Sequence, residues 1–452
     1  MLGEKDSPKK PYGTNCSNNG NIKNKKKKKR GGSKRKLSLE QTVAYKSVSE
    51  WVFLDNSANS SSAAEIIDDF GVVHWNHPKE RLVFDFHCHS IHSDGFLSPT
   101  KLVERAHQNG VKVLALTDHD TLSGIPEAQE AAFRFGIKII PGVEVSTVFY
   151  PRGETGSEEP VHILAYYSVC GPTRIEELEK LLLGIRNGRF LRAKSMVSKL
   201  NKLKLPLKWE HITKIAGTGV APGRLHVARA LVEAGHVENL KQAFSRYLYD
   251  GGPAYSTGSE PNAEEAVELI CKTGGVAVLA HPWALKNPVA VIRRLTEAGL
   301  HGIETYRSDG KLAVYSDLAD AYGLVKLGGS DYHGRDGQHE SDLGSVSLPM
   351  SSVHEFLKVA RPIWFKAIVD ILEKYVKDPN DANFHFITKF EKIRLRKSIS
   401  AFSSASDLIN HLLSLWLTKE ERLNPELEAI KLKLSAVSVS HAQPETDAAR
   451  TK

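Results

Sequence analysis

Six short apolar runs in this chain end on, or carry, a histidine or an acid, and that recurrence limits what the chain can fold into. The runs are Phe84-Asp85-Phe86-His87-Cys88-His89, Val111 to His119, Ile137 to Glu144, Val161-His162-Ile163-Leu164-Ala165, Val276 to His281 and Gly329-Ser330-Asp331-Tyr332-His333. Most are rich in β-branched residues and bounded by Gly or Pro, the pattern of a strand buried on both faces. Residues i and i+2 of a strand project from one face, so His87 and His89 can meet one ion and Asp331 and His333 can repeat the arrangement. Taken singly, His119 or His281 reads as a hydrogen-bonded core histidine and Asp94 in Ser93-Asp94-Gly95 as a turn residue. Six such runs together point to a multinuclear metal site.

Helical patterns lie between the runs. Pro99 to Gly110 and Ile125 to Gly136 both open with Pro and stop at Gly. Ala263 to Gly275, Pro288 to Gly299 and Ser316 to Gly323 supply later helices, each before another apolar run, as expected of parallel strands with helical crossovers. The alternation predicts an α/β fold, a βα barrel whose catalytic groups lie at the C-terminal ends of its strands. Most of the candidate ligands fall there; His162 lies nearer the start of its run.

The segments Phe86-His87-Cys88-His89-Ser90, Ser93-Asp94-Gly95, Leu116-Thr117-Asp118-His119-Asp120, Gly142-Val143-Glu144, Ala280-His281-Pro282 and Gly329 to His333 resemble, in order, the motifs of the PHP (polymerase and histidinol phosphatase) family, over about Leu82 to Pro349. Pro222 to Gly235 and Tyr247 to Tyr255 are most similar to a bacterial branch of that family, which removes the 3'-phosphate of nucleoside 3',5'-bisphosphates and trims short RNA from its 5' end. The resemblance implies a distorted seven-stranded, TIM-like barrel holding two or three divalent ions. His87, His89, Glu144 and Asp331 would hold one ion, Glu144 would bridge to a second held by His162 and His281, and Asp94, His119 and His333 would hold the third. Imidazole mixed with carboxylate suits Mn²⁺, Fe²⁺ or Zn²⁺ rather than Mg²⁺ or Ca²⁺. Paired ions of this kind clamp the attacking and leaving oxygens of a displacement at phosphorus.

Other residues of these motifs have less defined roles. His92 is out of phase with its neighbours, and Cys88 should point to the opposite strand face, into the core. Asp118 and Asp120 flank a ligand; each could orient an imidazole or assist proton transfer, and a loop-capping role is an equal alternative. Within the candidate set, Glu144, Asp331, His333 and Asp118 are the expected catalytic residues. Between His162 and His281, residues 172–261 are too long and too helical for a barrel loop and are expected to form a cap. Its helix carries Arg189 and Arg192 on neighbouring turns of one face, where guanidinium groups could grip phosphate or merely form a solvated basic face. Arg224, with His226 beside it, is placed by the resemblance to grip a second phosphate. Where some relatives carry a lysine before Pro-Ala-Tyr, this chain has Gly251-Gly252.

The chain has 452 residues and a net charge of +8. Residues 1–36 hold 13 Lys/Arg against 2 Asp/Glu, so the remainder carries about −3, which argues against a broad duplex-binding surface. Residues 1–75 are expected to form a disordered basic tail. The run Lys25 to Arg30 suits an import receptor, a weak RNA anchor or solvent alone. The start lacks a secretory or transit pattern. No apolar run reaches 18 residues, so no membrane span is expected, and four unpaired-looking cysteines suggest a reducing compartment, nucleus or cytoplasm. The barrel is expected over 80–350, and a helical extension over 351–435. In that extension Val353 to Val376 would pack on the barrel and Ser406 to Leu417 would join two copies; a basic run, Lys389 to Lys397, lies between them. A disordered end is expected over 436–452. These readings converge on a metal-dependent phosphoesterase acting on a nucleoside 3',5'-bisphosphate or the 5' end of short single-stranded RNA. The alternatives are a histidinol-phosphate-type phosphatase and a non-enzymatic RNA-binding adaptor.

Overall fold

The computed structural model describes residues 38–54, 66–67, 73–74, 82–150, 158–310, 313–335, 340–390 and 405–440. The Lys-rich run at 25–36 and most of the basic segment 389–397 lie outside them. Seven strands form one sheet in sequence order: β1 (Val83–Asp85), β2 (Val111–Leu116), β3 (Lys138–Phe149), β4 (Glu159–Tyr166), β5 (Val276–Leu279), β6 (Gly302–Glu304) and β7 (Val325–Leu327). The sheet curls until its two ends meet just beyond β1 and β7. There Cys88 bridges Tyr332, His89 N–H donates to the Tyr332 carbonyl at 2.9 Å, and Asp331 N–H donates to the His87 carbonyl at 2.9 Å. The expected distorted barrel of seven strands is therefore present.

One strand departs from the all-parallel expectation. β4 runs antiparallel to both β3 and β5, while the other neighbours are parallel. This accounts for the odd position of His162: the start of an antiparallel strand lies at the same end of the sheet as the finish of its parallel neighbours. β3 also differs from expectation. It does not stop at Glu144 but continues to Phe149, pairing with β2 through Lys138–Pro141 and with β4 through Gly142–Phe149. Glu144 thus sits just past the change of partner, bridged to His119.

The crossover helices follow their punctuation. α2 (Pro99–Gln108) has Ser98 as N-cap, its hydroxyl accepting from Lys101 N–H, and α3 (Ile125–Phe135) ends on Gly136 at φ 66°. Between β4 and β5 the chain passes through α4 (Ile175–Lys202), α5 (Trp209–Ala216), α6 (Arg224–Glu233), α7 (Leu240–Ala243) and then α8 (Ala263–Lys272). α4 to α7 enclose an apolar cluster of their own around Met196, Leu200, Val227 and Leu231. α9 (Pro288–Glu297) and α10 (Ala313–Tyr322) complete the crossovers.

The C-terminal part is helical: α11 (Met350–Lys377), α12 (Asp381–Thr388), α13 (Ala405–Trp416), α14 (Lys419–Arg422) and α15 (Pro425–Ser440). Phe356, Leu357, Ala360 and Trp364 of α11 join Phe84, Phe86, Val113, Ile140 and Tyr166 of the strands in one buried cluster. Leu408, Ile409, Leu412 and Trp416 of α13 are buried in that same cluster, so this apolar face is satisfied within the chain and does not offer the expected seam for a second copy. α15 continues to Ser440, past the expected boundary at 435.

The expectation of disorder up to residue 75 fails over α1 (Leu39–Val52). Ala44, Val48, Trp51 and Val52 are spaced i, i+4, i+7, i+8 and all are buried. Trp51 packs between Trp364 (6.4 Å between ring centroids) and Trp416 (6.1 Å), and the Lys138 ammonium stands 4.9 Å from its ring. α1 is therefore held to the barrel and to the C-terminal helices by one aromatic cluster. Replacing Trp51 with Ala should cost about 3–5 kcal/mol in a urea titration, whereas Leu39→Ala, at a side chain 80% exposed, should stay within about 0.5 kcal/mol of the parent.

Candidate metal centre

The end of the sheet at which β1, β2, β5 and β7 finish gathers nearly all of the candidate ligands around one carboxylate. Glu144 is 1% exposed on its side chain and lies within ion-pair distance of five imidazoles. Its Oε2 is 3.2 Å from His87 Nε2, 3.1 Å from His89 Nε2 and 3.3 Å from His119 Nδ1. Its Oε1 is 2.9 Å from His162 Nδ1 and 3.0 Å from His281 Nε2. Asp331 Oδ1 stands 3.4 Å from His87 Nε2 and 3.2 Å from His89 Nε2. Asp94 Oδ1 lies 3.3 Å from His333 Nε2 and 3.9 Å from His119 Nε2. All nine expected ligands thus fall in one cluster.

Backbone conformation contributes to this convergence. His281 (φ 28°) and Asp331 (φ 53°) are non-glycine residues with positive φ, a strained conformation that the surrounding structure must impose. A Cβ at Gly329 would come within 2.3 Å of the His87 backbone nitrogen, so only glycine lets the segment before Asp331 pass this close to β1.

The electrostatics are those of a site built for cations. Burial opposes charge on His87, yet Glu304, Glu144 and Asp331 outweigh it and raise its pKa well above the usual histidine value. His89 is likewise buried, and its hydrogen bonds to Asp331 and Glu144 raise it to about 10. Glu144 is buried and Asp331 is partly exposed, and the imidazoles around them, His119 and His87 foremost, hold both well below the usual carboxylate range. Burial pushes His119 well below the histidine norm. Three buried donor atoms in the cluster, His89 Nδ1, Asp94 Oδ1 and His119 Nδ1, make no hydrogen bond among the described residues. Unsatisfied lone pairs converging in a buried space are what divalent ions would satisfy. Three sets of ligand atoms lie within 4.8 Å of one another: His89/Asp94/His119/His333, His87/His89/Glu144 and His119/Glu144/His162. His89 and His119 each belong to two of these sets, a closer sharing than the expected partition.

Glu304, at the end of β6, was missed by sequence reasoning although Leu300 to Glu304 is another apolar run closing on an acid. Its carboxylate is 2% exposed, 3.2 Å from His87 Nδ1, and accepts from His281 N–H at 2.8 Å. It therefore orients one ligand ring and the backbone of another. Asp85 fixes the closure in a similar way, accepting from the backbone N–H groups of His87, Ser330 and Gly344.

Two expected site residues turn out differently. Asp118 does not face the cluster: its carboxylate accepts from Ser90 N–H and from the Ser90 and Ser93 hydroxyls, each at 2.7 Å, and so anchors the loop that carries Asp94. Of the two roles open to it, loop capping is the one its contacts describe. His226 is buried, and its Nδ1 accepts from Gly223 N–H at 2.9 Å, capping α6 rather than lining a cavity. The His92 backbone N–H donates to the Ser90 hydroxyl, and its side chain makes no hydrogen bond to the cluster among the described residues. Cys88 is in the core, as expected.

The three candidate arginines do come together. A cavity of about 190 Å³ is lined by Asp94, His119 and His162 together with Arg189, Arg192 and Arg224. Arg189 Nε pairs with Asp120 Oδ2 at 2.6 Å, Arg192 pairs with Glu260, and Arg224 pairs with Asp250 while standing 5.7 Å from the Tyr255 ring. The positive groups are thus each held by an acid beside the ligand cluster, and Glu260 lines the cavity along with Arg192.

A curled sheet with an imidazole–carboxylate cluster at its mouth and an arginine-lined cavity beside it defines a metal-dependent phosphoester hydrolase. Comparison with known proteins agrees: the PHP domain model matches residues 85–216. A 5'-3' exoribonuclease of Haemophilus influenzae is 41% identical over 258 residues, 55% of this chain and 89% of that one. A 3',5'-nucleoside bisphosphate phosphatase of Chromobacterium violaceum is 34% identical over 279 residues, 59% of this chain and 94% of that one. The fold superposes on a candidate metal-dependent phosphoesterase from Bifidobacterium adolescentis with TM-score 0.53 and 28% identity, over 61% of this chain and 96% of that one. The chain belongs to the PHP domain family.

The cap at Gly223 has a pH signature. Burial lowers the His226 pKa to about 4 from the usual 6.5, so the unfolded chain takes up a proton that the folded chain refuses. Stability is then unaffected above about pH 6.5 and falls as pH drops from 6.5 towards 4. In urea titrations, His226→Gln, which keeps an acceptor for Gly223 N–H, should lose less stability than the parent between pH 7 and pH 5. Equal losses would refute the assignment.

Proposed function

We propose that this protein removes the 3'-phosphate from nucleoside 3',5'-bisphosphates and trims short single-stranded RNA from its 5' end. The observation that carries this reading is the arginine trio that lines one small cavity together with the candidate ligands Asp94, His119 and His162. A substrate with a single phosphate would be fully engaged at the cluster; Arg192 and Arg224 provide a seat for a second anion at a fixed distance from it. The names of the two relatives point to the same substrate classes. A histidinol-phosphate-type activity would leave that second seat without a partner. The adaptor reading depends on the tail, which lies outside the described residues.

On this reading His87, His89, Glu144 and Asp331 would hold one divalent ion, Glu144 with His162 and His281 a second, and Asp94, His119 and His333 a third. Mn, Fe or Zn is the matching metal class for such mixed donors. When bound, ions of this class supply Lewis acidity and a water acidic enough to attack phosphorus near neutral pH. The protein's own groups do the rest. Glu304 and Asp85 hold the ligands in register before substrate arrives. Arg192 and Arg224 take the phosphate that is not cleaved and so aim the other at the cluster. The low-pKa carboxylates of Glu144 and Asp331 remain ionised throughout.

The test is product analysis with Mn²⁺ present, using a nucleoside 3',5'-bisphosphate and a short 5'-phosphorylated RNA, with Asp331→Ala alongside. Release of one phosphate from the bisphosphate and stepwise release of mononucleotides from the RNA, both lost in Asp331→Ala, is the expected result. Turnover of histidinol phosphate alone would replace this reading with the single-phosphate one.

A further inference from the structure

The mean charge of residues 37–452 conceals a sharp segregation along the sequence. Residues 186–214 carry nine Lys/Arg against the single acid Glu210, a net +8, whereas the rest of residues 37–452 holds 39 basic against 50 acidic residues, a net −11. Most of this charge lies on α4, the helix that also sends Arg189 and Arg192 into the catalytic cavity. Away from that cavity, Lys194, Ser198, Asn201, Lys202 and Trp209 line a shallow open groove between α4 and α5. The Lys194 ammonium stands 4.9 Å from the Phe190 ring and 5.4 Å from that of Trp209. Lys194, Lys202, Lys204 and Lys208 are exposed, and no acid pairs with any of them among the described residues.

Exposed lysines without acidic partners, hydroxyl and amide groups between them, and a tryptophan in the groove match the needs of a single strand, whose backbone takes cations while its bases seek aromatic faces. Lys202 is ten residues beyond Arg192, roughly 15 Å along the helix at 1.5 Å per residue, which a few nucleotides would span. We propose that this groove is an exosite for single-stranded RNA, holding the body of the chain while its 5' end lies at the metal cluster. The inference rests on the nucleotide phosphoesterase reading of the cluster, and it divides the two substrates: a mononucleotide occupies the cavity alone, an oligonucleotide the cavity and the groove.

The test compares Lys194→Gln/Lys202→Gln with the parent, both as full-length chains in which Lys25 to Arg30 and Lys34 to Lys36 are glutamine, so that tail charge does not mask the groove. Anisotropy with a 5'-phosphorylated 12-mer oligouridylate across a salt series, without turnover in EDTA, reads binding. Phosphate release from the bisphosphate reads the catalytic site. The expected result is oligonucleotide binding weakened several-fold, with the slope of log affinity on log salt reduced by about 1.4, at roughly 0.7 for each of two lost phosphate contacts, and bisphosphate turnover unchanged. Equal affinity and slope in the two proteins would overturn the exosite, as would binding to anionic phospholipid vesicles in place of RNA. If the bisphosphate is not turned over by either protein, the catalytic reading fails, while the binding comparison still decides whether the groove holds RNA.

Discussion

The Glu144 carboxylate is the interaction on which the rest of the site depends. One buried anion stands among five imidazoles drawn from four separate parts of the chain, and each of those rings has to be delivered to within about one hydrogen-bond length of it. The sheet is shaped accordingly. β3 changes partners just before Glu144, and β4 reverses direction so that its first residues, not its last, reach the mouth. The ends of the sheet are stitched together at Cys88 and Tyr332, within one residue of four candidate ligands, His87, His89, Asp331 and His333. Strain at His281 and Asp331 is tolerated because their backbone N–H groups donate to the Glu304 carboxylate and the His87 carbonyl, which fixes the backbone there. A large buried charge of both signs is stable only if satisfied, and the unsatisfied donors at His89, Asp94 and His119 show where cations would complete it.

Much of this was legible in the sequence because strand ends and metal ligands leave the same trace, an apolar run closing on a histidine or an acid. The run that was missed, Leu300-His301-Gly302-Ile303-Glu304, is shorter than most of the others and is interrupted by His301 and Gly302. Its partners are a ring and an N–H more than twenty residues away, which no local pattern reveals. Strand direction was not legible either: His162 at the start of its run was the one sign of β4's reversal. Asp118 and Asp94 look alike as motif acids, yet one is consumed by three hydrogen bonds from serines and the other is left open to His333 and His119. α1 escaped notice because its four buried positions lie beside a Lys-rich stretch whose composition dominates the window. Its stability comes from Trp364 and Trp416, far along the chain.

Charge is distributed to match the proposed division of labour. The barrel mouth presents carboxylates and imidazoles, α4 and α6 present guanidinium groups, and the acids paired with those arginines keep them oriented in the absence of substrate. Among the described residues no helix is long and apolar enough to cross a membrane. The net negative charge of residues 37–452 outside the basic stretch 186–214 would disfavour polyanion contacts there and so favour α4 for a phosphate-bearing chain.

The central claim is that Glu144 bridges metal ions in a hydrolytic centre, and the most direct measurement is metal content together with turnover in Glu144→Gln. Glutamine keeps the size of the side chain and one carbonyl oxygen but gives up the second anionic oxygen that faces His162 and His281. The account predicts that the variant, folded by circular dichroism, binds fewer ions per chain by plasma mass spectrometry than the parent and loses phosphoester hydrolysis almost entirely. An unchanged metal count with retained turnover would contradict it.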